Sequence, residues 1–298
     1  MRSYVIGNVA IDETIAVSSM PEAGASILGS EETRDLGGKG ANQAVVMGRC
    51  GVPTTLVAAV GDDFRAGTIR EQLAAEPVDT NLVALAGRAS DFSIIFTTPD
   101  GENAIVTTTD SANTLSLDDA LAALASAGPG DLAVLQGNLR EEVTRGVLAA
   151  ARERGMVTAF NPSPLRPYFT GLWPLVDIAF LNRGEAEHLA GSSGAEAISR
   201  LMAAGVGRVV LTLGGDGALL GSDNGIEPIA AVAAQAIDTT GAGDTFMATA
   251  LASAVLRGVP LDRRAVGHAS SAAALTVSRR GTRSAFPTRQ ELEDILAR

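Results

Sequence analysis

Apolar runs of strand length alternate with helix-length stretches along most of this chain, and that rhythm restricts the fold more than any single motif. Residues 4–9, 54–60, 131–136, 156–160, 177–181 and 208–213 are short runs dominated by Val, Leu, Ile, Ala and Phe. Between them lie stretches with helical spacing, such as the one carrying Phe64, Ile69 and Leu73 and the one over 141–153. A run that is apolar at successive positions has no side to turn to water, so its sheet must be covered on both faces. A helix between successive strands serves as a crossover and lets them pair in parallel. Polar clusters recur after the apolar runs: Asp12, 136–138, 161–164, 182–185 and 238–244. In an open α/β sheet, ligands sit beyond the carboxyl ends of the strands. Clusters far apart in sequence therefore point to one crevice.

Two segments break the rhythm. Over 89–109, Phe92, Ile94 and Phe96 alternate, Asp100-Gly101 reads as a turn, and Ala104 and Val106 alternate again. That is a β-hairpin signature. It suits a small sheet set apart from the core, as a lid, an edge or a dimer surface. Residues 21–35 are mixed and polar with little helical period.

The 298 residues are enough for one large or two modest domains, and 33 glycines with few aromatics suit close-packed α/β layers. A formal net charge of -11 argues against a general nucleic-acid binder, but not against a nucleotide, which needs only a local cradle. The single cysteine, Cys50, excludes an internal disulfide and a cysteine zinc cluster; between Met47 and Gly51 it reads as a small buried apolar residue. The opening residues run straight into a strand without a signal-peptide pattern, and no apolar run reaches membrane-spanning length. A cytoplasmic protein without a membrane partner is the expectation.

Three stretches carry candidate chemistry. In the first, Asp238-Thr239-Thr240-Gly241-Ala242-Gly243-Asp244-Thr245-Phe246, a strand-like segment meets a long apolar helix through a glycine turn. Such a turn aims unpaired helix-start amides at whatever lies above them, the recipe for an anion site. A carboxylate there makes sense as a general base acting while the amides of Ala242, Gly243 and Asp244 stabilise a transferring phosphoryl group. Asp244 also reads as a plain helix cap. In the second, Gly37-Gly38-Lys39-Gly40-Ala41-Asn42 opens a helix without Walker spacing; Lys39 and Asn42 offer donors to a small polar ligand, or the stretch is a simple tight turn. In the third, Asn182 and Glu185 suit magnesium through water, although their spacing is also that of a capping box.

These motifs, over nearly the whole chain, resemble the ribokinase-like family of carbohydrate kinases. The resemblance implies a three-layer α/β/α sandwich with a mostly parallel central sheet. It implies one kinase domain over 1–298, with a small β lid from parts of 12–36 and 89–110. It further implies ATP-dependent phosphotransfer to a hydroxymethyl or other hydroxyl of a small sugar. Asp244 carries over as the base, and Gly241, Ala242 and Gly243 as the anion hole. Asp12, Gly38, Lys39, Asn42 and Asn138 match substrate-binding positions. Asn182 and Glu185 match the segment that places Mg2+ and phosphate, Thr212 and Gly214 lie in the nucleotide segment, and His268 lies near the adenine pocket. Asp238 and Thr240 match a monovalent-cation site, with K+ the candidate ion, completed by carbonyls over 276–281.

Two departures stand out. Ala10 occupies a position where ribokinases carry asparagine, and Asn138 one where they carry a sugar-binding glutamate. A site that reads hydroxyls changes preference when its polar contacts change. The alternatives are a nucleoside, polyol or sugar-acid kinase of the same fold, and a sugar- or nucleotide-binding module without catalysis. A nucleoside would want an aromatic wall, for which Phe92, Phe96 and Phe169 are candidates.

Overall fold

A computed structural model describes residues 1–100 and 103–298. Its strands are β1 (Ser3–Ile6), β2 (Ala10–Val17), β3 (Gly29–Gly37), β4 (Thr54–Val60), β5 (Asp79–Ala84), β6 (Phe92–Thr97), β7 (Asn103–Thr107), β8 (Leu132–Gln136), β9 (Val157–Asn161), β10 (Ile178–Asn182), β11 (Arg208–Thr212), β12 (Ala218–Ser222) and β13 (Gly225–Ile229). Its helices are α1 (Lys39–Arg49), α2 (Phe64–Ala74), α3 (Asp110–Thr114), α4 (Leu117–Ala123), α5 (Glu141–Glu153), α6 (Arg183–Ala190), α7 (Gly194–Ala203), α8 (Ala242–Arg257), α9 (Arg263–Val277) and α10 (Arg289–Leu296).

Nine strands form the central sheet in the order β13-β12-β11-β10-β9-β8-β1-β4-β5. From β11 to β5 every pairing is parallel, whereas β12 and β13 add an antiparallel edge. Alternate residues of each buried strand feed opposite layers. Tyr4 and Ile6 pack with Leu135, Val147, Phe160 and Ile198 beneath α3 to α7. Val5 packs with Val45, Val134, Met247, Val266 and Leu292 beneath α1, α2, α8, α9 and α10. The α/β/α architecture follows from strands with no polar face.

The second sheet has the order β3-β2-β6-β7. The β6–β7 hairpin lies where the alternation placed it, with Phe96 opposite Ala104 and Ile94 opposite Val106. The Asp100-Gly101 turn falls partly outside the described residues. All of β3 but Leu36 and Gly37 lies inside the polar segment that gave no periodic signal. It pairs antiparallel with β2 over a register shift at Thr14/Ile15, and all but its last three residues and Thr33 are exposed. A strand held by its ladder and wetted on both faces leaves no apolar alternation to read. The strand-like segment before Asp238 also differs: residues 230–236 join no ladder, and Ile237 is exposed, its amide donating to the Val277 carbonyl at 2.7 Å.

β1 lies between β8 and β4, so the chain leaves it in one direction and returns on the other side. The crevice beyond the carboxyl ends of β1 and β8 is a topological switch point, where such sheets hold ligands. Cys50 is buried as expected, and burial pushes its thiol pKa up to about 12, which makes it inert. Among the described residues no helix is long and apolar enough to cross a membrane.

Candidate active site

The start of α8 is built by one glycine. Gly241 sits at φ 73°, and a Cβ there would lie 2.5 Å from Cε1 of Phe286, so a side chain is excluded both by backbone strain and by the ring. Gly243 is exposed, and a Cβ on it would meet nothing within 4 Å. The helix therefore begins open-ended, with no side chain capping it. The Ala242 amide leans on the Thr239 carbonyl at 3.3 Å, and that of Thr245 closes the first turn on Gly241.

Asp244 is buried in that first turn, and both its oxygens are held. Asn42 Nδ2 donates to Oδ2 and Gln43 Nε2 to Oδ1, each at 2.9 Å. Gln43 Oε1 in turn accepts from Gln136 Nε2 at 2.7 Å. An amide chain thus runs from the end of β8 through α1 to α8 and fixes the carboxylate at the switch point. Asn42 was expected to touch substrate, and it also positions the candidate base. The role of Gln43 was not foreseen; the one sequence signal is a second amide side chain, next to Asn42, in an otherwise apolar helix.

A cavity of about 230 Å³ opens in front of the helix start, lined among others by Lys39, Asn182, Glu185, Thr212, Gly243 and Asp244. Asn182 and Glu185 do form a capping box: the Glu185 amide donates to Asn182 Oδ1 at 2.8 Å and the Asn182 amide to Glu185 Oε2 at 2.9 Å. The box does not remove the pair from the cavity, because both residues line it. Gly214 begins an exposed turn beyond β11 and is not among the lining residues. His268 is also set apart. It is buried between α8 and α9, its Nδ1 2.8 Å from Ser253 Oγ, and burial lowers its pKa. It packs two helices together and lines no part of this cavity.

On the side of the second sheet, Asp12 is buried on β2. Thr282 Oγ1 donates to its Oδ2 at 3.0 Å, and the Ser93 hydroxyl also bonds it. Burial is the main cause that raises its pKa; the two hydroxyl bonds oppose the rise, and the negative charges of Asp35 and Asp244 add to it. Gly38 sits at φ 90°, and a Cβ there would lie 2.9 Å from Val9 Cα, so the tight approach before α1 requires glycine. Asn138 is buried beyond β8, and its Oδ1, like that of Asn42, finds no donor among the described residues. Buried acceptors left so are costly unless a ligand supplies donors. Asp238 joins two loops: Oδ1 accepts the Thr240 amide at 2.9 Å and Oδ2 the Gly281 amide at 3.1 Å.

Two of the three phenylalanines weighed as a base-stacking wall, Phe92 and Phe169, are engaged elsewhere. Phe169 is fully buried in the α3-to-α7 layer against Phe160 and Tyr168. The Arg65 guanidinium lies over the Phe92 ring, 4.1 Å from its centroid.

Comparison with known proteins agrees with this geometry. The family described as pfkB family carbohydrate kinase matches residues 3–289. The ribokinase of Haemophilus influenzae is 31% identical over 301 residues, covering 98% of this chain and 97% of that one. A ribokinase structure from Thermotoga maritima superposes with a TM-score of 0.88 at 25% identity, covering all of both chains. A ribokinase of Arabidopsis thaliana, solved in complex with ribose and ATP, gives 0.87 at 25% identity over 99% of this chain and 98% of that one. A glycine-opened helix bearing a buried carboxylate at the switch point, and a match over almost the full length, lead to one conclusion: the chain belongs to the pfkB family of carbohydrate kinases and carries out ATP-dependent phosphotransfer to a small sugar.

Proposed function

We propose that the acceptor is a neutral polyhydroxylated sugar, phosphorylated on a hydroxymethyl or other hydroxyl with Asp244 as the general base. The observation that carries this reading is the Asp244 carboxylate, held by Asn42 and Gln43 in the first turn of an uncapped helix that faces the cavity. Asp244 takes the proton of the attacking hydroxyl as its oxygen bonds the γ-phosphorus of ATP. The bond to the β–γ bridging oxygen breaks, and its electrons leave with ADP. Amides at the start of α8, from Gly241, Gly243 and Asp244, face the charge that grows on the transferring group, and the Ala242 amide joins them by giving up its 3.3 Å bond to the Thr239 carbonyl. Lys39 adds a cation at the cavity wall.

Among the described residues no three of His, Cys, Asp and Glu gather as metal ligands. The oxygens of Asn182 and Glu185 fit a magnesium ion that keeps most of its water, and such an ion would neutralise phosphate charge when bound. A monovalent cation such as potassium would bind near Asp238 and Thr240, where Asp238 already ties the turn before α8 to the Gly281 amide. The small sheet would cover the sugar and exclude water. Its strand β7, where Ile105 and Val106 are exposed, is the surface on which two copies would pair.

Acceptor chemistry separates the sugar classes. Asp12, Asp244 and the open acceptors of Asn42 and Asn138 want hydroxyl donors, and a sugar acid would bring a third carboxylate toward two buried ones. The engaged Phe92 and Phe169 leave little wall for a nucleoside base. Ribose, the ligand of the Arabidopsis relative, is the first acceptor to test. ADP release measured across pentoses, hexoses, sugar acids and nucleosides is expected to select a neutral pentose or hexose. Turnover confined to a sugar acid or nucleoside would refute the reading, and ligand binding without ADP release would refute catalysis.

Asp12 gives this site a pH signature. Its carboxylate must be ionised to accept sugar hydroxyls fully, so the sugar KM is expected to rise as pH falls through a pKa held above the ordinary 3.8. The stability effect has the opposite sign. An acid whose folded pKa exceeds its unfolded one contributes stability below the unfolded pKa and loses it as pH rises through the folded value. Asp12→Asn is thus expected to raise Tm near neutral pH while weakening sugar binding. A lower Tm with an unchanged sugar KM would contradict both points.

A further inference from the structure

We propose that Thr282 is a positioning residue for the sugar: its hydroxyl fixes the Asp12 carboxylate, and the 281–284 loop of the large body thereby aligns the small sheet's polar contact with the acceptor. The inference rests on the reading of Asp12 as a sugar contact.

Asp12 and Asp35 are direct cross-strand partners on β2 and β3. Two carboxylates facing one another on a sheet repel, and here both are buried. The loop that follows α9 resolves the conflict residue by residue. Asp35 receives the cation: Arg283 Nε donates to Oδ1 at 3.1 Å and the Ser284 amide to Oδ2 at 2.7 Å. Among the described residues, Asp12 receives only hydroxyls as side-chain partners, from Thr282 and Ser93. It is thereby oriented without being neutralised, the state in which a carboxylate remains a strong acceptor for a polyol.

Thr282 has little freedom to do otherwise. On one side the Gly281 amide is tied to Asp238 Oδ2 at 3.1 Å. On the other, Arg283 bridges Asp35 and Glu76, with its Nη1 2.9 Å from Glu76 Oε1. Gly281 itself sits at φ 97°, and a Cβ there would meet Ser284 Oγ at 2.4 Å. Thr282 is buried, so no water competes for its hydroxyl. The bond joins residues 270 apart in sequence and ties the small sheet to the loop that follows α9.

Steady-state kinetics of Thr282→Val and Thr282→Ser discriminate. Valine keeps the shape and loses the hydroxyl; serine keeps the hydroxyl and loses the methyl. Valine is expected to raise the sugar KM about tenfold, with the loss concentrated there rather than in kcat or in the ATP KM. Serine is expected to recover most of it. A hydroxyl donor favours the ionised carboxylate, so valine is also expected to shift the acid limb of kcat/KM for the sugar to higher pH. The groups that face Asp12 in that titration are Ser93 on β6, Asp35 on β3 with its Arg283 partner, and Asp244 on α8. In Asp12→Asn the valine effect is expected to vanish, giving a non-additive cycle.

A normal sugar KM for valine, with serine impaired, would show that Thr282 only fills space and would overturn the inference. So would a valine effect that leaves the acid limb in place and adds to that of Asp12→Asn. If Asp12→Asn leaves the sugar KM unchanged, the Asp12 reading fails and takes this inference with it. If that variant is impaired while both Thr282 variants are normal, this inference alone falls.

Discussion

Replacing Asp244 by asparagine is expected to lower kcat about 1,000-fold, the scale of losing a positioned general base. The substitution preserves shape but places an NH2 where one of two donors, Asn42 Nδ2 or Gln43 Nε2, now finds an oxygen. The conflict has a way out. If the new NH2 faces Gln43, the amides of Gln43 and Gln136 can turn together, because Gln136 Oε1 has no partner among the described residues and can exchange places with its Nε2. The fold is therefore expected to survive, with a stability cost of about 1–2 kcal/mol. Sugar and ATP KM values should change far less than kcat, since both substrates meet other contacts. A coupled ADP assay checks this, with product phosphate measured to exclude ATP hydrolysis. Near-normal turnover in folded Asp244→Asn would remove the base from the mechanism.

Glu76→Ala is expected to cause a large loss of stability from a residue outside the cavity. Glu76 is an almost fully buried carboxylate between two guanidinium groups. Arg49 grips it bidentately, at 2.8 Å and 2.6 Å, and Arg283 adds a third bond at 2.9 Å. Arg49 also donates to the carbonyls of Phe286 and Pro287, so the cluster clamps the segment that follows α9. Removing one partner of a buried pair leaves charge uncompensated and costs about 3–5 kcal/mol. For a chain of this size that lowers Tm by about 10 °C. The Phe286 ring that stands over Gly241, and the loop that carries Thr282, would both loosen, so the sugar KM should rise as well. A Tm within about 2 °C of wild type would show that solvent already shields the cluster.

Much of this architecture was open to reading before any coordinates. The strands over 54–60 and near 132–136 lie where their apolar runs predict, because a strand buried on both faces must be apolar throughout. The hairpin of β6 and β7 was legible from alternation alone. β3 was not, and neither was β5: both are mostly exposed, and what defines them is the neighbouring strand that completes their hydrogen bonds. The long helix α8 was clear from its composition, yet the segment before it looked like a strand and is an unpaired connection.

Local chemistry explains the same division in the site. The glycine turn, the carboxylate behind it and the capping box at Asn182 and Glu185 are properties of a few adjacent residues, so the sequence by itself determined them, together with the α/β class. Which groups hold that carboxylate was decided only when α1 and the end of β8 came to lie beside α8, bringing Gln43 and Gln136 into reach. Tertiary structure likewise placed Thr282 on Asp12 and Arg283 between Asp35 and Glu76, pairings as much as 270 residues apart. Hydrogen bonds and ion pairs act over about 3 Å, whereas periodicity reports only which face of an element is buried. The sequence thus states what kind of chemistry the chain carries, and the packing of its layers states which neighbours aim it.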